Sequence, residues 1–192
     1  MENCIIFQQK LASFPQKPET LGFLTTTTLS WSLKGERQQL VLDDVVGVSL
    51  VNQGEEKIPC LLVHAYPVIK NSRLNLPQKQ QRVLQKYCFT CPNLEVRSQW
   101  QQAINNTLLG KPVDAIAKPR HLQIIVNPNS GKQQASQILE QVRPLFDRSN
   151  LEYTVTKTSS TTDTKDFVRN LNLLDTDGLV IVGGDGTIHD AI

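Results

Sequence analysis

No run of about 18 apolar residues occurs anywhere in the 192-residue chain, so the sequence offers no candidate membrane-spanning helix. The apolar stretch in "MENCIIFQQKLASF" is also too short for a secretory leader. Cysteine is sparse, with four in the whole chain, which excludes the disulfide frameworks of small secreted domains. Two of them form a lone C-x-x-C, Cys88 and Cys91. They sit in the β-prone segment "YCFTC", where positions i and i+3 face opposite ways; with no second pair, zinc and thiol redox chemistry are not expected. Strong charge is missing too. A formal net charge of +2 is too small for a nucleic-acid binder. It is unevenly shared: residues 1–118 hold 13 Lys/Arg against 9 Asp/Glu and residues 119–192 hold 7 against 9, so the first part is the better suited to an anionic surface. These absences point to an intracellular, cytoplasmic location. Asn105-Asn106-Thr107 matches a glycosylation sequon that would then be silent.

What is present divides in two. Up to about residue 92 the patterns are β: "LTTTTLSWSL", "RQQLVL", "VVGVSLV", "IPCLLVHAYPVI" and "RVLQKYCFTC", with turns at Lys34-Gly35 and Asn52-Gln53-Gly54. His64 reads as a strand residue with a satisfied ring. After Pro92 the period changes. Val96, Trp100, Ala103, Ile104 and Leu108 share a helical face between an Asn93 cap and a Gly110 stop. "GKPVDAIAKPR" has two prolines and no period, and is a linker. Beyond it the order is β-α-β-α-β. "HLQIIV" is a strand. Ala135, Ile138, Leu139 and Val142 mark a helix stopped or kinked at Pro144. "LEYTVTKT" is a strand, Phe167, Val168, Leu171 and Leu174 mark a helix, and "GLVIV" is a strand. This alternation implies a parallel sheet, whose ligands bind where strands hand over to helices.

Two such turns carry the unusual residues. "NPNSGK", Asn127 to Lys132, lacks the leading glycine of a Walker loop, because Val126 stands there. Its small polar residues still open onto a helix N-terminus, whose free N–H groups and partial positive charge suit phosphate. As a capped turn it would need no further explanation. "GGDGT", Gly183 to Thr187, puts a carboxylate among three glycines that let a ligand approach the backbone. Asp185 would repel a bare polyphosphate, so it makes sense with Mg²⁺ nearby or a proton to remove. The alternative is a tight turn in which Asp185 caps the next helix.

Together these turns make the chain from Arg120 to Ile192 resemble the N-terminal half of the diacylglycerol-kinase-type catalytic domain, the group of sphingosine, ceramide, diacylglycerol and bacterial lipid kinases. "NPNSGK" is similar to its first nucleotide motif, and "GGDGTIHDAI" to its signature loop. The β-rich front with one Trp-bearing helix resembles a pleckstrin-homology-like module, although its first hairpin lacks the Lys/Arg cluster of phosphoinositide binders. The expected fold class is therefore α+β then α/β. Residues 1–17 would be an N-terminal extension, 18–109 a small pleckstrin-homology-like β-barrel with a C-terminal helix, 110–119 a linker, and 120–192 the first part of a parallel-sheet nucleotide-binding kinase domain.

The resemblance implies an ATP- and Mg²⁺-dependent transfer to a lipid hydroxyl at a peripheral membrane surface. A sphingoid base is the favoured acceptor, with diacylglycerol or ceramide as alternatives. Asn127, Pro128, Asn129, Ser130 and Gly131 would border the nucleotide, and Thr158 with its neighbours up to Thr162 would contact it. Gly183, Gly184 and Gly186 would cradle phosphates, Thr187 would bond a phosphate oxygen, and Asp185 would be the catalytic base or an organiser of Mg²⁺. No side chain is assigned as a resident metal's ligand. Lys132 and His189 read as surface residues. Sphingosine kinases often have Ser at the Gly183 position and an apolar residue at Thr187, so "GGDGT" leans towards the diacylglycerol or bacterial type. The short stretch after Pro119 reads as a truncated catalytic domain with little activity alone. The rivals are an NAD-kinase- or phosphofructokinase-like enzyme and a non-catalytic adaptor acting through residues 18–109.

Overall fold

The computed structural model describes residues 4–15, 20–69, 81–129 and 133–192, with four α-helices among them. The chain divides into two compact units, Met1–Ala117 and Lys118–Ile192. None of the helices is long and apolar enough to cross a membrane.

The first unit is antiparallel. Its strands are β1 (Phe7–Lys10), β2 (Ala12–Ser13), β3 (Leu21–Leu24), β4 (Thr28–Leu33), β5 (Glu36–Val41), β6 (Val45–Gln53), β7 (Ile58–Ala65), β8 (Val68–Ile69), β9 (Gln81–Arg82) and β10 (Gln85–Thr90). Helix α1 (Leu94–Leu108) follows. One sheet has the order β1-β3-β4-β5 and a second β2-β10-β7-β6, with β8 and β9 as a short ribbon. The expected barrel does not close among the described residues; the ladders stay within each sheet. Corners are the reason. The chain changes sheet at the fully buried Leu11, the single residue between β1 and β2, and again at the 3-10 turn Leu42–Asp44 ahead of a register shift at Val45/Gly47. Residues 7–13, expected in an extension ahead of the module, instead supply a strand to each sheet. "LTTTT" is not one strand either. The Thr25 hydroxyl accepts the Thr27 and Thr28 amides and folds the four threonines into the β3–β4 turn.

Both inner faces and α1 share one core, which includes Leu11, Leu24, Leu29, Trp31, Leu61, Val63, Phe89, Trp100 and Ile104. Trp31 meets Phe89 edge-on at 4.9 Å, and Phe7 meets Trp100 at 4.8 Å. Gly22 is the complement to Trp100: a Cβ there would lie 2.9 Å from the indole and 2.8 Å from the Leu11 Cβ. Gly22→Ala should therefore destabilise the unit by about 1–3 kcal/mol, as overpacked cores do. A chemical-denaturation midpoint unchanged from wild type would contradict this packing.

Helix α1 begins as its sequence indicates, the Asn93 carboxamide accepting the Val96 amide at 2.9 Å, and Gly110 follows it at φ 66°. Asn105 is buried on it, so the sequon is shielded in the folded chain. The residues after Gly110 do not run free as a linker. Asn106 Nδ2 donates to the carbonyls of Val113 and Ala115, Val113 packs on the core, and the first unit extends to Ala117. His64 is buried on β7 with its Nε2 2.9 Å from the Ser49 hydroxyl.

Burial pushes the thiols of Cys60 and Cys91 up to about 12, and that of Cys88 upward as well. Cys4 is exposed. Since the thiolate is the nucleophile, the native chain at pH 8 should react rapidly with an alkylating reagent at Cys4 alone. Equal modification of Cys60 or Cys91 would show that this core is open.

The second unit contains β11 (Arg120–Val126), α2 (Ala135–Arg148), β12 (Leu151–Lys157), α3 (Thr161–Arg169), β13 (Gly178–Val182) and α4 (Asp185–Ala191). Its three strands are all parallel in the order β12-β11-β13. Ala135 and Leu139 of α2 pack with Ile124, Val126 and Val182, and Val142 and Phe146 extend the contact. The helix does not stop at Pro144. It continues to Arg148, where only the final turn lacks the proline's N–H, the Phe146 ring rests on Tyr153, and the Ser149 amide closes the end on the Leu145 and Phe146 carbonyls. Helix α3 is shifted from its expected span. Leu171 lies beyond its end, and Leu174 is 96% exposed in a turn where the Asn172 side chain takes the Leu174 amide.

Candidate functional site

The parallel register sets the geometry. Val126 lies opposite both Lys157 and Val182, so the next residues, Asn127, Thr158 and Gly183, emerge side by side at the carboxyl edge of the sheet. The ladder continues one step into these turns: the Thr158 amide donates to the Val126 carbonyl at 2.9 Å, and the Asn127 amide to the Val182 carbonyl at 3.1 Å. Three strand-to-helix turns are thereby fastened to the central strand at one edge.

In the first turn, Asn127 Oδ1 accepts the Asn129 amide at 3.1 Å, an Asx turn with Pro128 in its middle. Ser130, Gly131 and Lys132 lie outside the described residues. Gln133 follows in the left-handed region at φ 61°, and α2 starts at Ala135 without a side-chain cap.

The second turn is knotted onto its own helix. Ser160 caps α3 by accepting the Asp163 amide, while the Ser159 amide and hydroxyl both donate to Asp163 Oδ2. Those hydrogen bonds from Ser159, then Ser160, hold the Asp163 carboxyl below the usual carboxylate range. Its folded-state value is the depressed one, so this cap contributes above the ordinary carboxylate range and is lost as the pH falls through the lowered value. The S-x-x-D spacing of Ser160 and Asp163 was readable in the sequence as a capping box, a signal passed over there in favour of Thr158. Thr158 itself is 3% exposed, and its hydroxyl turns inward to Thr164 rather than outward to solvent.

In the third turn, Gly184 caps α4 from extended backbone (φ −86°, ψ 177°). Asp185 is the first helical residue. It does not cap the helix; it is exposed, with Oδ1 accepting the adjacent Gly186 amide at 2.9 Å. Neither Gly184 nor the helical Gly186 uses left-handed backbone. A Cβ on Gly186 would meet nothing within 4 Å, so the protein's own packing does not require glycine there. The absent side chain leaves the helix start open to a ligand. Thr187 is buried, with its amide on the Gly184 carbonyl. Gly183 is exposed. His189 is exposed on α4, and Asp190 pairs with Lys165 of α3 at 3.7 Å.

Among the described residues the edge thus carries two exposed carboxylates, Asp163 engaged in its own cap and Asp185, together with asparagine and serine groups and an open glycine surface. Among the described residues no group of three side chains could hold a metal ion by itself. A divalent cation here would take Asp185 together with oxygens of its own ligand.

Residues 121–192 match the diacylglycerol kinase catalytic domain model. The chain is 31% identical over 81 residues to sphingosine kinase 2 of Arabidopsis thaliana, covering 42% of this chain and 17% of that protein. It is 30% identical over 105 residues to human ceramide kinase, covering 54% and 19%. Sphingoid long-chain bases kinase 1 of Arabidopsis thaliana aligns at 28% over 200 residues, covering 88% and 25%. The chain therefore spans a quarter or less of the length of these relatives. The match begins one residue into β11 and takes in all three turns of the carboxyl edge, so residues 121–192 are similar to the diacylglycerol kinase catalytic domain family.

Proposed function

We propose that this chain carries the nucleotide-binding part of an ATP-dependent lipid kinase, with a sphingoid base as the favoured acceptor and ceramide or diacylglycerol next. The observation that carries the reading is the alignment of Asn127, Thr158 and Gly183 at one sheet edge, inside the segment that matches the family. Sphingosine and ceramide kinases among the relatives support the lipid class. ATP and Mg²⁺ fit the donor set, because Gly186 leaves the backbone of the α4 start uncovered and Asp185 is the exposed carboxylate beside it.

Bound ATP would supply the phosphoryl group, and its Mg²⁺ would neutralise the phosphate charge. The chain's own residues do the rest. Asn127, Pro128 and Asn129, with Ser130 and Gly131 after them, border the nucleotide. Gly183, Gly184 and Gly186 admit the phosphates to the backbone, with Thr187 beneath. Asp185 keeps Oδ1 on the Gly186 amide and offers Oδ2 either as the base for the acceptor's hydroxyl proton or as an organiser of the Mg²⁺.

The first unit we read as a pleckstrin-homology-like docking or regulatory module, formed by two sheets and the Trp100 helix. The Thr25–Thr28 turn of its β3–β4 hairpin carries no cation, which favours a protein or general membrane surface over a specific phosphoinositide. Its place is the cytoplasm, with peripheral membrane association.

The test is phosphoryl transfer from labelled ATP to sphingosine, ceramide and diacylglycerol in mixed micelles. It is made with the chain and with a fusion of it to the remaining length of the Arabidopsis sphingosine kinase 2. Labelled sphingosine is expected from the fusion. Labelling of NAD or a sugar phosphate in place of any lipid would favour the NAD-kinase- or phosphofructokinase-like alternative.

A further inference from the structure

The turn between β12 and α3 is held by one hydroxyl that no ligand can touch. Thr164 lies in the first turn of α3 and is 0% exposed. Its Oγ1 is 3.1 Å from Thr158 Oγ1 and 3.3 Å from the Ser160 carbonyl, and its amide also donates to that carbonyl. Thr158 is anchored on its other side, through its amide, to the Val126 carbonyl of the central strand. A continuous set of hydrogen bonds thus runs from β11 through Thr158 and Thr164 to Ser160, and the Ser160 hydroxyl and Ser159 are in turn fixed by Asp163. Three residues of the turn are oriented from within α3, and two of them, Ser159 and Ser160, are exposed at the carboxyl edge.

We infer that the Thr158–Thr164 hydroxyl pair is a positioning device for the nucleotide edge, with Thr164 as its buried positioning residue. This rests on the reading of that edge as the nucleotide site, and it changes the part played by Thr158. The Thr158 hydroxyl orients the turn and does not itself meet the ligand. Ser159 and Ser160 are the groups it presents. The chemistry requires a hydroxyl at 164, since the position must donate to an oxygen in a site that excludes water. A buried polar atom left without its partner there would release the Thr158 hydroxyl and the turn with it. Valine has the shape of threonine without the donor; serine has the donor without the methyl group. Each removes one part of the side chain, so both variants lose packing or bonding inside the unit, and only one loses the positioning hydroxyl.

The experiment compares Mg·ATP affinity by calorimetry for the full 192-residue chain and its Thr164→Val and Thr164→Ser variants, with amide NMR spectra of all three in the absence of nucleotide. Thr164→Val is expected to weaken affinity about tenfold, the loss that one hydrogen bond of ordinary strength produces. It should also move the Ser159, Ser160 and Asp163 amides before any nucleotide is added. Thr164→Ser should bind within about twofold of wild type and leave those amides in place, rescue by the conservative variant being the mark of the hydroxyl. Equal affinity in all three, or losses that follow each variant's thermal stability, would overturn the positioning role while the nucleotide site stands. Unmoved amides in Thr164→Val would overturn it from the nucleotide-free state alone. No binding by the wild-type chain would overturn the site reading and this inference together.

Discussion

Trp100→Ala is expected to remove about 3–5 kcal/mol from the first unit, the range for emptying a large aromatic site in a core. The indole is fully buried, its Nε1 donates to the Lys10 carbonyl at 3.4 Å, and Phe7 stands edge-on to it. Gly22 has given up its side chain to let it in. The cavity would therefore be lined by β1, β3 and α1, and none of these can collapse far, because each is tied into its own ladder or helix. Domains of this size hold roughly 5–15 kcal/mol in total, so the loss is about a fifth or more of it. At about 4–8 °C per kcal/mol for a domain near 100 residues, the thermal midpoint of the first unit should fall by more than 10 °C. Trp100→Phe should fall less, since it keeps part of the aromatic contact. A change below about 1 kcal/mol in Trp100→Ala would mean that α1 is not part of this core.

The second large effect concerns Asp185. Asp185→Asn in the kinase-competent fusion should lower turnover by about 10²–10⁴, the usual contribution of a general base, and leave nucleotide affinity within a fewfold of wild type. The substitution is close to isosteric. Asparagine Oδ1 can still accept the Gly186 amide, so the α4 start is preserved, and an NH₂ group replaces the oxygen that would accept the proton. The Mg²⁺ dependence separates the two roles open to this carboxylate. An unchanged Mg²⁺ requirement with lost turnover identifies the base, whereas a raised requirement with turnover restored at high Mg²⁺ identifies an organiser of the ion. Full activity at ordinary Mg²⁺ would remove Asp185 from the chemistry.

Elements with a local cause were readable from the sequence. The three parallel strands announce themselves as "HLQIIV", "LEYTVTKT" and "GLVIV", and helix α1 by its Asn93 cap, its apolar stripe through Trp100 and the Gly110 stop. The family match covers the segment in which the two glycine- and asparagine-rich turns were singled out. Features set by distant partners were not readable. Gly22 looks like any strand glycine until the indole, some 80 residues away in sequence, is placed against it. Leu11 is a corner only because β1 and β2 enter different sheets. The pattern Phe167, Val168, Leu171, Leu174 has helical spacing, but the helix closes at Asn170, whose amide and side chain both donate to the Asp166 carbonyl. Of the two outcomes open at Pro144, a stop does not occur, because a helix held by Phe146 and closed at Ser149 tolerates the missing donor. At the carboxyl edge, Thr158 was singled out by motif, whereas the buried Thr164 whose hydroxyl bonds it gave no signal beyond a threonine in a polar run.

The central claim is that one edge of the second unit's sheet binds a nucleotide. Its most direct test is a Mg·ATP titration of the isotopically labelled chain, followed amide by amide. Saturable shifts confined to Asn127, Asn129 to Gly131, Ser159 to Thr162 and Gly183 to Thr187 are the predicted result. Saturable shifts centred elsewhere, or none at millimolar Mg·ATP, would contradict it.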